Sequence, residues 1–399
     1  MTLTAREREI VDLLRADPLL DAAAIADRIG STRAAVSVHL SHLTRKGVVL
    51  GRGYLLRAEA GTVLVVGGAV LDTKVRTAAA PVLGTSNPGT ASATVGGVGR
   101  NIAENLGRLG RPTVLVAAVG DDPAGDTVLQ RTAAAGVDCR HVVVSPHPTG
   151  TYAAVLDDAG DLHIAVADMR ATDELAVADL AVVPTLLGGA DALVVDANLD
   201  PTVVRWLLSG AREAGVLAVF EPVSVAKATA AAAVLDGSVG VHTVTPNVDE
   251  LAALVGAPVD DTVEGVRAAA DVLHGRGVEH VWVRRGTHGS LLSVASSPDA
   301  GSSVAGSADA GSADAGSRAV LVGAPPVQVA DVTGAGDSMT AGYVHALLDG
   351  ADVVEAARYG QALAALTCAS ADTVRADLTA ALVAAHLTAT QPPTEELPR

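Results

Sequence analysis

Residues 331–343 read Asp-Val-Thr-Gly-Ala-Gly-Asp-Ser-Met-Thr-Ala-Gly-Tyr, and this stretch decides the fold. A turn of small residues leads into an apolar helix that reaches Leu348. The backbone N–H groups of Ala335, Gly336 and Asp337 would point out of the helix N-terminus, where the helix dipole favours an anion. The Asp337 carboxylate in this mouth suits a base that takes a proton from a hydroxyl while the N–H groups hold a transferring phosphoryl group. The alternative is a tight turn in which Asp337 only caps the helix.

The composition is that of a large globular protein with an aliphatic core. The chain has 399 residues, of which 49% are hydrophobic and 2% aromatic, so it is long enough for about two to three domains. Cys139 and Cys368 form neither a disulfide framework nor a zinc spacing, which predicts a reducing, cytoplasmic location. No apolar signal segment is present and no run reaches the roughly 18 apolar residues of a membrane span, so we expect no membrane association.

Charge is distributed unevenly along the chain, whose net charge is −17. Residues 1–57 contain nine Arg or Lys and six Asp or Glu, which gives +3, whereas the remainder contains 19 and 39, which gives −20. The asymmetry predicts that the N-terminal part meets an anionic partner. The acidic remainder argues against nonspecific nucleic-acid binding there.

Residues 1–58 have the pattern of three short helices followed by a two-stranded wing. Helical periodicity covers 4–15, 21–29 and 32–46, and strand patterns follow at 48–56. The combination resembles a winged helix-turn-helix, which implies DNA as a partner. Five side chains of the third helix and the wing suit phosphate and base-edge contacts in a major groove: Arg33, Ser37, His42, Arg45 and Arg52. The alternative is a domain used only for dimerisation or kept as a vestigial tether, and we expect a homodimer.

From Thr62 onward the pattern changes to that of an α/β domain, which we place at residues 62–386. Short all-apolar strands, beginning with Val63–Val66, alternate with helical segments, so we predict a parallel sheet covered by helices on both faces. Segments 75–95 and 149–167 instead alternate polar and apolar residues around turns. We predict that they form a small β lid over one end of the sheet.

Two segments contain almost none of the large apolar residues that folding requires. Residues 295–317 contain Ala-Asp-Ala-Gly-Ser repeats and are predicted to be a disordered insertion between two strands. The tail, residues 388–399, is predicted to be disordered as well.

A second glycine motif, Gly-Gly-Val-Gly-Arg-Asn at residues 96–101, opens a helix and would let a sugar approach the backbone closely. Either motif alone is weak, but the pair resembles the two signatures of the ribokinase-like (PfkB-type) carbohydrate kinases. The resemblance implies a three-layer α/β/α sandwich with a β lid, ATP as phosphoryl donor and Mg²⁺ as cofactor. It implies that Asp337 is the base and that the Gly334–Gly336 turn is the anion hole.

The same resemblance assigns further contacts. Four positions are implied to hold sugar hydroxyls: Asp72, Gly97, Gly99 and Asn101. Six are implied to serve Mg²⁺ and phosphates, a nucleotide loop, and a monovalent cation such as K⁺: Asn247 and Glu250 (the latter through water), Gly286 and Gly289, and Asp331 and Thr333. For Asn247 and Glu250, the alternative is an ordinary helix start. Arg284 departs from the pattern, because Thr or Ser is usual at its position.

Within the family, three stretches resemble pseudouridine kinases in particular: residues 86–89 with 96–106, residues 168–169, and residues 221–224 with Lys227. Asn87, Asp168 and Lys227 are therefore candidates for uracil or ribose contacts, with a lid turn and exposed charges as the alternative. Glu221 and Val70 depart from the resemblance, since Asp and Asn are common at their positions.

These observations predict a kinase that phosphorylates the 5′-hydroxyl of pseudouridine with MgATP and carries a DNA-binding domain that could make it self-regulating. One alternative is a kinase for another nucleoside or a ribosyl sugar. The other is a transcription factor whose kinase-like domain senses a ligand without turning it over. The intact Asp337 and its glycine turn favour an enzyme.

Overall fold

The computed structural model describes residues 3–16, 20–46, 48–49, 61–296 and 317–398. The chain divides into two units, of which the first comprises Met1–Ala60 with Gly188–Ala190 and the second Gly61–Leu187 with Asp191–Arg399. Among the described residues, no helix has both the length and the apolar character needed to cross a membrane.

The described helices are, in chain order, α1 (Ala5–Ala16), α2 (Ala22–Arg28), α3 (Arg33–Arg45), α4 (Val98–Arg108), α5 (Pro123–Ala134), α6 (Arg170–Asp173), α7 (Val183–Leu187), α8 (Pro201–Ala214), α9 (Val225–Ala231), α10 (Val248–Val255), α11 (Val263–His274), α12 (Ala335–Leu348), α13 (Val353–Cys368) and α14 (Ala380–Thr390). The described strands are β1 (Val63–Val66), β2 (Val70–Thr77), β3 (Gly89–Gly96), β4 (Thr113–Val116), β5 (Ala118–Gly120), β6 (Val137–Asp138), β7 (Val143–Ser145), β8 (Thr151–Leu156), β9 (Leu162–Asp168), β10 (Ala192–Asp196), β11 (Leu217–Glu221), β12 (Val241–Val244), β13 (Val278–Arg284), β14 (Ser290–Val294), β15 (Arg318–Val322) and β16 (Thr394–Glu396).

The first unit contains α1, α2 and α3 around a small apolar core. Thr4 and Glu7 cap α1 reciprocally: the Thr4 hydroxyl accepts from the Glu7 N–H at 3.2 Å, and the Glu7 carboxylate accepts from the Thr4 N–H at 2.7 Å. The inward side chains of α3 are buried in this core: Val36, Leu40 and Leu43. Most of the predicted wing, including Arg52, lies outside the described residues.

The second unit is organised around a central sheet whose described strands run in the order β6-β4-β1-β10-β11-β12-β13-β14-β15-β16. The strands from β6 to β13 are parallel. Every residue of β1 and β10 is buried, as expected for strands covered on both faces. The chain leaves β1 for β4 on one side and later reaches β10 on the other, so the strand order reverses there. In open α/β sheets a ligand crevice forms at the carboxyl ends of such neighbouring strands.

One edge of the sheet differs from the predicted parallel arrangement. Strands β14, β15 and β16 each pair antiparallel with the preceding strand of the sheet. The short connection from Arg284 to Ser290 explains β14, because a parallel pairing would need a long crossover. The prediction that the tail from residue 388 is disordered is wrong, since α14 extends to Thr390 and residues 394–396 pair with β15. Backbone hydrogen bonds order this tail, and composition does not report them.

A separate four-stranded sheet has the order β3-β2-β8-β9 and corresponds to the predicted lid segments. Its first strand starts at Val70, five residues before the predicted segment, because the strand includes the apolar Val70 and Leu71. The predicted insertion falls between β14 and β15, which pair from Val294 opposite Arg318 onward. Residues 297–316 lie outside the described residues.

Candidate active site

The glycine turn that precedes α12 has the backbone conformation that its sequence requires. Gly334 is the N-cap residue with a φ of 78°, a left-handed conformation that a side chain would strain. A methyl group at this position would also collide with the carbonyl oxygen of Thr373. Replacement of Gly334 would therefore displace the start of α12.

The N–H groups at the start of α12 are only partly available to a ligand. The Ala335 N–H donates to the Val332 carbonyl at 3.2 Å, so the prediction that it is free is wrong: the turn closes on itself one residue earlier than expected. Among the described residues, the N–H groups of Gly336 and Asp337 donate to no acceptor outside the helix. Two N–H groups at the positive end of the helix dipole therefore remain for an anion.

Asp337 is a buried carboxylate with one amide partner, since Asn101 Nδ2 donates to Asp337 Oδ2 at 2.7 Å. Burial is the main cause that raises the pKa of Asp337 to about 7. The negative charges of Glu221 and Asp196 act in the same direction. The hydrogen bond from Asn101 and the positive charge of Arg284 oppose the rise. A carboxylate with a pKa near neutrality is a competent general base at physiological pH.

Arg100 orients the amide that contacts this base. Its side chain is 1% exposed and donates both to Asn101 Oδ1 and to Glu104. Because the amide oxygen of Asn101 faces Arg100, the amide nitrogen faces Asp337. Arg100 lies in the motif at residues 96–101, but the sequence argument rested on the glycines and Asn101 of that motif and assigned no role to Arg100.

Asp196, at the carboxyl end of β10, fixes the glycine loops on the other side of the site. It is fully buried, and its Oδ2 accepts from the Gly68 N–H at 2.9 Å and the Gly99 N–H at 2.7 Å. Burial raises the pKa of Asp196. The backbone of Gly67 passes close to Gly99, so a methyl group on Gly99 would be crowded. An acidic residue that ends an all-apolar parallel strand was the available signal for this position.

Glu221 and Arg284 form a buried ion pair at the ends of β11 and β13. Arg284 Nη2 lies 2.6 Å from Glu221 Oε1 and 3.3 Å from Glu250 Oε2. The other Glu221 oxygen accepts from the Thr245 hydroxyl at 2.7 Å and the Thr340 hydroxyl at 3.0 Å. Two of the three positions that depart from the family resemblance, Glu221 and Arg284, are therefore in direct contact.

Asn247 and Glu250 form a capping box at the start of α10. Asn247 Oδ1 accepts from the Glu250 N–H at 2.8 Å, and Glu250 Oε2 accepts from the Asn247 N–H at 2.9 Å. The helix-start alternative therefore describes their local geometry. The carboxylates of Glu221, Glu250 and Asp337 nevertheless supply the oxygen donors that Mg²⁺ prefers, so this group of residues fits the ion chemically.

An apolar cavity of about 450 Å³ adjoins the glycine turn. Its residues come from the end of β13 and the loop after it, the segment before α12, and α12 and α13; they include Arg284, Gly286, Gly289, Gly336 and Met339. Gly286 and Gly289 have φ values of 56° and 76°, and a methyl group at Gly289 would collide with the Val322 carbonyl. The loop therefore keeps a left-handed backbone at the edge of a cavity large enough for a purine ring.

Three further residues that were predicted to contact the substrate have different surroundings in the structure. Asp72 lies against Gly96 on the lid, and burial raises its pKa. Asn87 hydrogen-bonds within its own loop, to the backbone of Val82 at 2.8 and 2.9 Å. Gly97, at the start of α4, has a φ of 93°, and a methyl group there would collide with the neighbouring backbone. The substrate roles of these residues stay predictions.

Three predicted charged residues have partners within the protein. Asp168 pairs with Arg170 at 2.6 Å, and Lys227 pairs with Asp173 at 3.0 Å. Asp331 Oδ1 accepts from the Thr333 N–H at 2.8 Å and from its hydroxyl at 2.7 Å. This is the geometry of a local turn, and the predicted monovalent-cation site stays a prediction.

The outward face of α3 carries the side chains predicted to contact DNA. Arg33, Ser37 and Arg45 are exposed and His42 is partly exposed. Thr32 caps the helix by accepting from the Ala35 N–H at 3.2 Å.

Buried carboxylates and two available N–H groups thus meet at a helix N-terminus, beside the apolar cavity at the carboxyl end of β13. Fold and site define a phosphotransferase that acts on a hydroxyl group. Residues 62–380 match the family described as pfkB family carbohydrate kinase, and residues 3–49 match winged helix-turn-helix DNA-binding domains. The chain belongs to the PfkB family of carbohydrate kinases and carries an N-terminal winged helix-turn-helix domain.

Several individual proteins are similar to this chain over most of its length. An uncharacterized sugar kinase of Escherichia coli K12, YeiI, is 31% identical over 366 residues, which cover 92% of this chain and 94% of that protein. The pseudouridine kinase of the same organism is 29% identical over 328 residues, covering 82% and 96%. The structure of an Arabidopsis thaliana ribokinase complexed with ribose and ATP superimposes with a TM-score of 0.66 at 22% identity, covering 82% and 99%, which shows the shared fold.

Proposed function

We propose that this chain phosphorylates the 5′-hydroxyl of pseudouridine with ATP as phosphoryl donor. The observation that carries the proposal is the Asp337 carboxylate, which has a pKa near 7, an oriented amide partner, and a place at a helix N-terminus with two available N–H groups. This arrangement suits removal of a hydroxyl proton and stabilisation of phosphoryl charge in one place.

The residues divide the reaction between them. Asp337 accepts the proton of the attacking hydroxyl, while Asn101 holds the carboxylate in position at 2.7 Å. The N–H groups of Gly336 and Asp337 donate to the oxygens of the transferring group as negative charge develops. Glu250 would hold Mg²⁺ through water, and the ion when bound supplies positive charge to the donor phosphates.

The donor assignment rests on the cavity beside the glycine turn. Its apolar wall suits an adenine ring, and its Gly336 end adjoins the available N–H groups, so one nucleotide can span both features. The Arabidopsis ribokinase was solved with ATP, which supports ATP as donor for this chain.

The acceptor assignment rests on sequence resemblance. The stretches at residues 86–89, 96–106 and 221–224 resemble pseudouridine kinases, and one such enzyme is among the relatives. A sugar acceptor is the second candidate, since the 31% identical relative is described as a sugar kinase. Both acceptors carry a primary hydroxyl that Asp337 could deprotonate.

A substrate panel tests the assignment. With MgATP and the full chain, pseudouridine should give a kcat/KM at least roughly tenfold above uridine, ribose and fructose 6-phosphate. A higher value for ribose or another nucleoside would overturn the acceptor and keep the kinase. The absence of turnover for all four would contradict the proposed reaction.

We propose that the N-terminal unit binds double-stranded DNA and that the chain does so as a homodimer. Exposed Arg33 and Arg45 on α3 support the DNA contact. An exposed apolar face of the lid supports a dimer. It consists of three alternate residues of β9 that are 57%, 58% and 63% exposed: Leu162, Ile164 and Val166. Mobility shifts with the promoter of the chain's own operon test the first proposal, and light scattering tests the second. A chain that binds no DNA at low salt, or a monomeric mass, would contradict the respective proposal.

A further inference from the structure

Arg284 is held rigidly at the carboxyl end of β13. Its backbone N–H donates to the Pro246 carbonyl at 2.8 Å, which fixes the position from which the side chain extends. Its Nη2 atom lies 2.6 Å from Glu221 Oε1 and 3.3 Å from Glu250 Oε2. Both glutamates are nearly inaccessible to solvent. One side of the guanidinium is therefore fully occupied.

The other side of the guanidinium faces the catalytic turn. A methyl group on Gly336 would collide with Arg284 Nη1, so this nitrogen lies directly against the turn. Within the described residues Nη1 donates no hydrogen bond, and Arg284 lines the apolar cavity. A donor nitrogen, two backbone N–H groups and a cavity thus converge on one place.

The N-terminus of α12 favours an anion at this place. The guanidinium is positive, and the adjacent N-terminus of α12 carries the positive end of the helix dipole, so the two features repel each other unless negative charge lies between them. Glu221 and Glu250 balance the Nη2 side of Arg284. Among the described residues Arg284 forms no ion pair besides these two, and the Asp337 carboxylate acts on it electrostatically without a hydrogen bond to Nη1.

We propose that Arg284 Nη1 binds an oxygen of the donor nucleotide's phosphate chain, and that Glu221 is a positioning residue that aims the guanidinium at the chain. This inference rests on the proposed function and adds a recognition residue to that site. A planar guanidinium suits this task, because it can hold glutamate through one nitrogen and phosphate through another.

The sequence supports the pairing of the two residues. Arg284 and Glu221 are both departures from the family resemblance, and they contact each other at 2.6 Å. Glutamate is one methylene longer than aspartate, which lets the carboxylate reach the guanidinium and still accept from Thr245 and Thr340. An arginine without the longer acid would lack this support.

The test measures binding of four adenine compounds to the full chain by calorimetry, without an acceptor. The compounds are a nonhydrolysable ATP analogue, ADP, AMP and adenosine, and the variants are Arg284→Gln and a matched control, Arg285→Gln. Arg285 is the adjacent arginine; it pairs with Asp261 at 2.6 Å and is not among the cavity residues. Arg284→Gln should weaken the ATP analogue roughly 10- to 100-fold and adenosine less than about twofold. Arg285→Gln should leave all four affinities unchanged.

Further variants keep the test decisive. Arg284→Lys retains a positive charge between the glutamates, so it carries the test if Arg284→Gln is unstable, and should show the same pattern at roughly three- to tenfold. Glu221→Gln should weaken the ATP analogue and spare adenosine. A loss equal for all four compounds, or tighter ATP binding without Arg284, would overturn the inference and leave Arg284 as a structural ion pair. If the wild type prefers phosphates and the variants keep that preference, only this inference fails; if the wild type binds no adenine nucleotide, the ATP assignment fails with it.

Discussion

Replacement of Asp337 by Asn should abolish turnover and, at the same time, stabilise the folded protein at alkaline pH. The first effect follows from loss of the base, which contributes roughly 10²- to 10⁴-fold to the rate. The second follows from burial: Asn resembles the protonated acid in shape and cannot become charged. The same side chain thus has opposite effects on activity and on stability.

The stability effect has a defined size and sign. The pKa of Asp337 is 3.8 in the unfolded reference and about 7 in the folded protein. Between these values the folded state binds more protons, so the wild type loses stability as pH rises through the folded pKa. The full loss is about 4 kcal/mol, of which roughly a third falls between pH 6 and 8. Other titrating groups cancel when wild type and variant are compared at each pH.

Thermal unfolding and single-turnover phosphorylation together check this prediction. The melting temperature of Asp337→Asn minus that of the wild type should increase by roughly 2–4 °C between pH 6 and 8. The wild-type rate should rise with pH to a plateau, with an apparent pKa of about 7. Less than about a tenfold loss of turnover would remove Asp337 as the base. A melting difference that does not change with pH would refute the buried, titrating carboxylate.

Four further perturbations test other parts of the structure. Asn101→Ala removes the 2.7 Å donor to Asp337, so the apparent pKa of the rate profile should rise by about one pH unit; an unchanged profile would refute the contact. Deletion of residues 297–316 should leave the melting temperature within about 2 °C, because β14 and β15 pair from Val294 opposite Arg318 onward; a larger drop would show that the segment is ordered against the domain. Truncation after residue 392 removes β16 and its ion pair between Arg318 and Glu396 at 2.8 Å, and should lower the melting temperature, which a disordered tail would not. Arg33→Ala with Arg45→Ala should weaken DNA binding and reduce its salt dependence, measured by mobility shift at two salt concentrations, with unchanged kinase activity as the control.

The main features of the fold could be predicted from the sequence because each has a local cause. All-apolar runs such as Val63–Val66 indicate parallel strands buried on both faces, and the structure pairs β1 in parallel on both sides. The edge of the sheet could not be predicted in this way. Strand β16 contains Thr-Glu-Glu, has no apolar residue, and is held by backbone hydrogen bonds to β15. Composition therefore indicated disorder where pairing gives order.

The candidate site was predictable at its glycines and much less at its charges. Gly334 and Gly97 stand in motifs because only glycine fits their backbone. Asp196 ends an all-apolar strand, and Arg100 lies within a glycine motif. The pattern of each stretch indicates its backbone structure and does not indicate a role for the charged residue. The role of Asp196 depends on partners distant in sequence, as in the hydrogen bond from Gly99, and Arg100 acts through its neighbour Asn101, whose amide contacts the distant Asp337. Such pairings arise from strand order, which one sequence does not reveal.

The pairing of charges around Asp337 explains how a base of this kind can lie near two arginines. Arg100 and Arg284 both interact electrostatically with Asp337, and either one alone would lower its pKa and weaken it as a base. Each arginine, however, is paired with a buried glutamate, Glu104 for the first and Glu221 for the second. The glutamates offset most of the positive charge, so burial dominates and the pKa of Asp337 stays near 7. The arginines thereby retain their geometric roles, one on the Asn101 amide and one beside the glycine turn, without disabling the base.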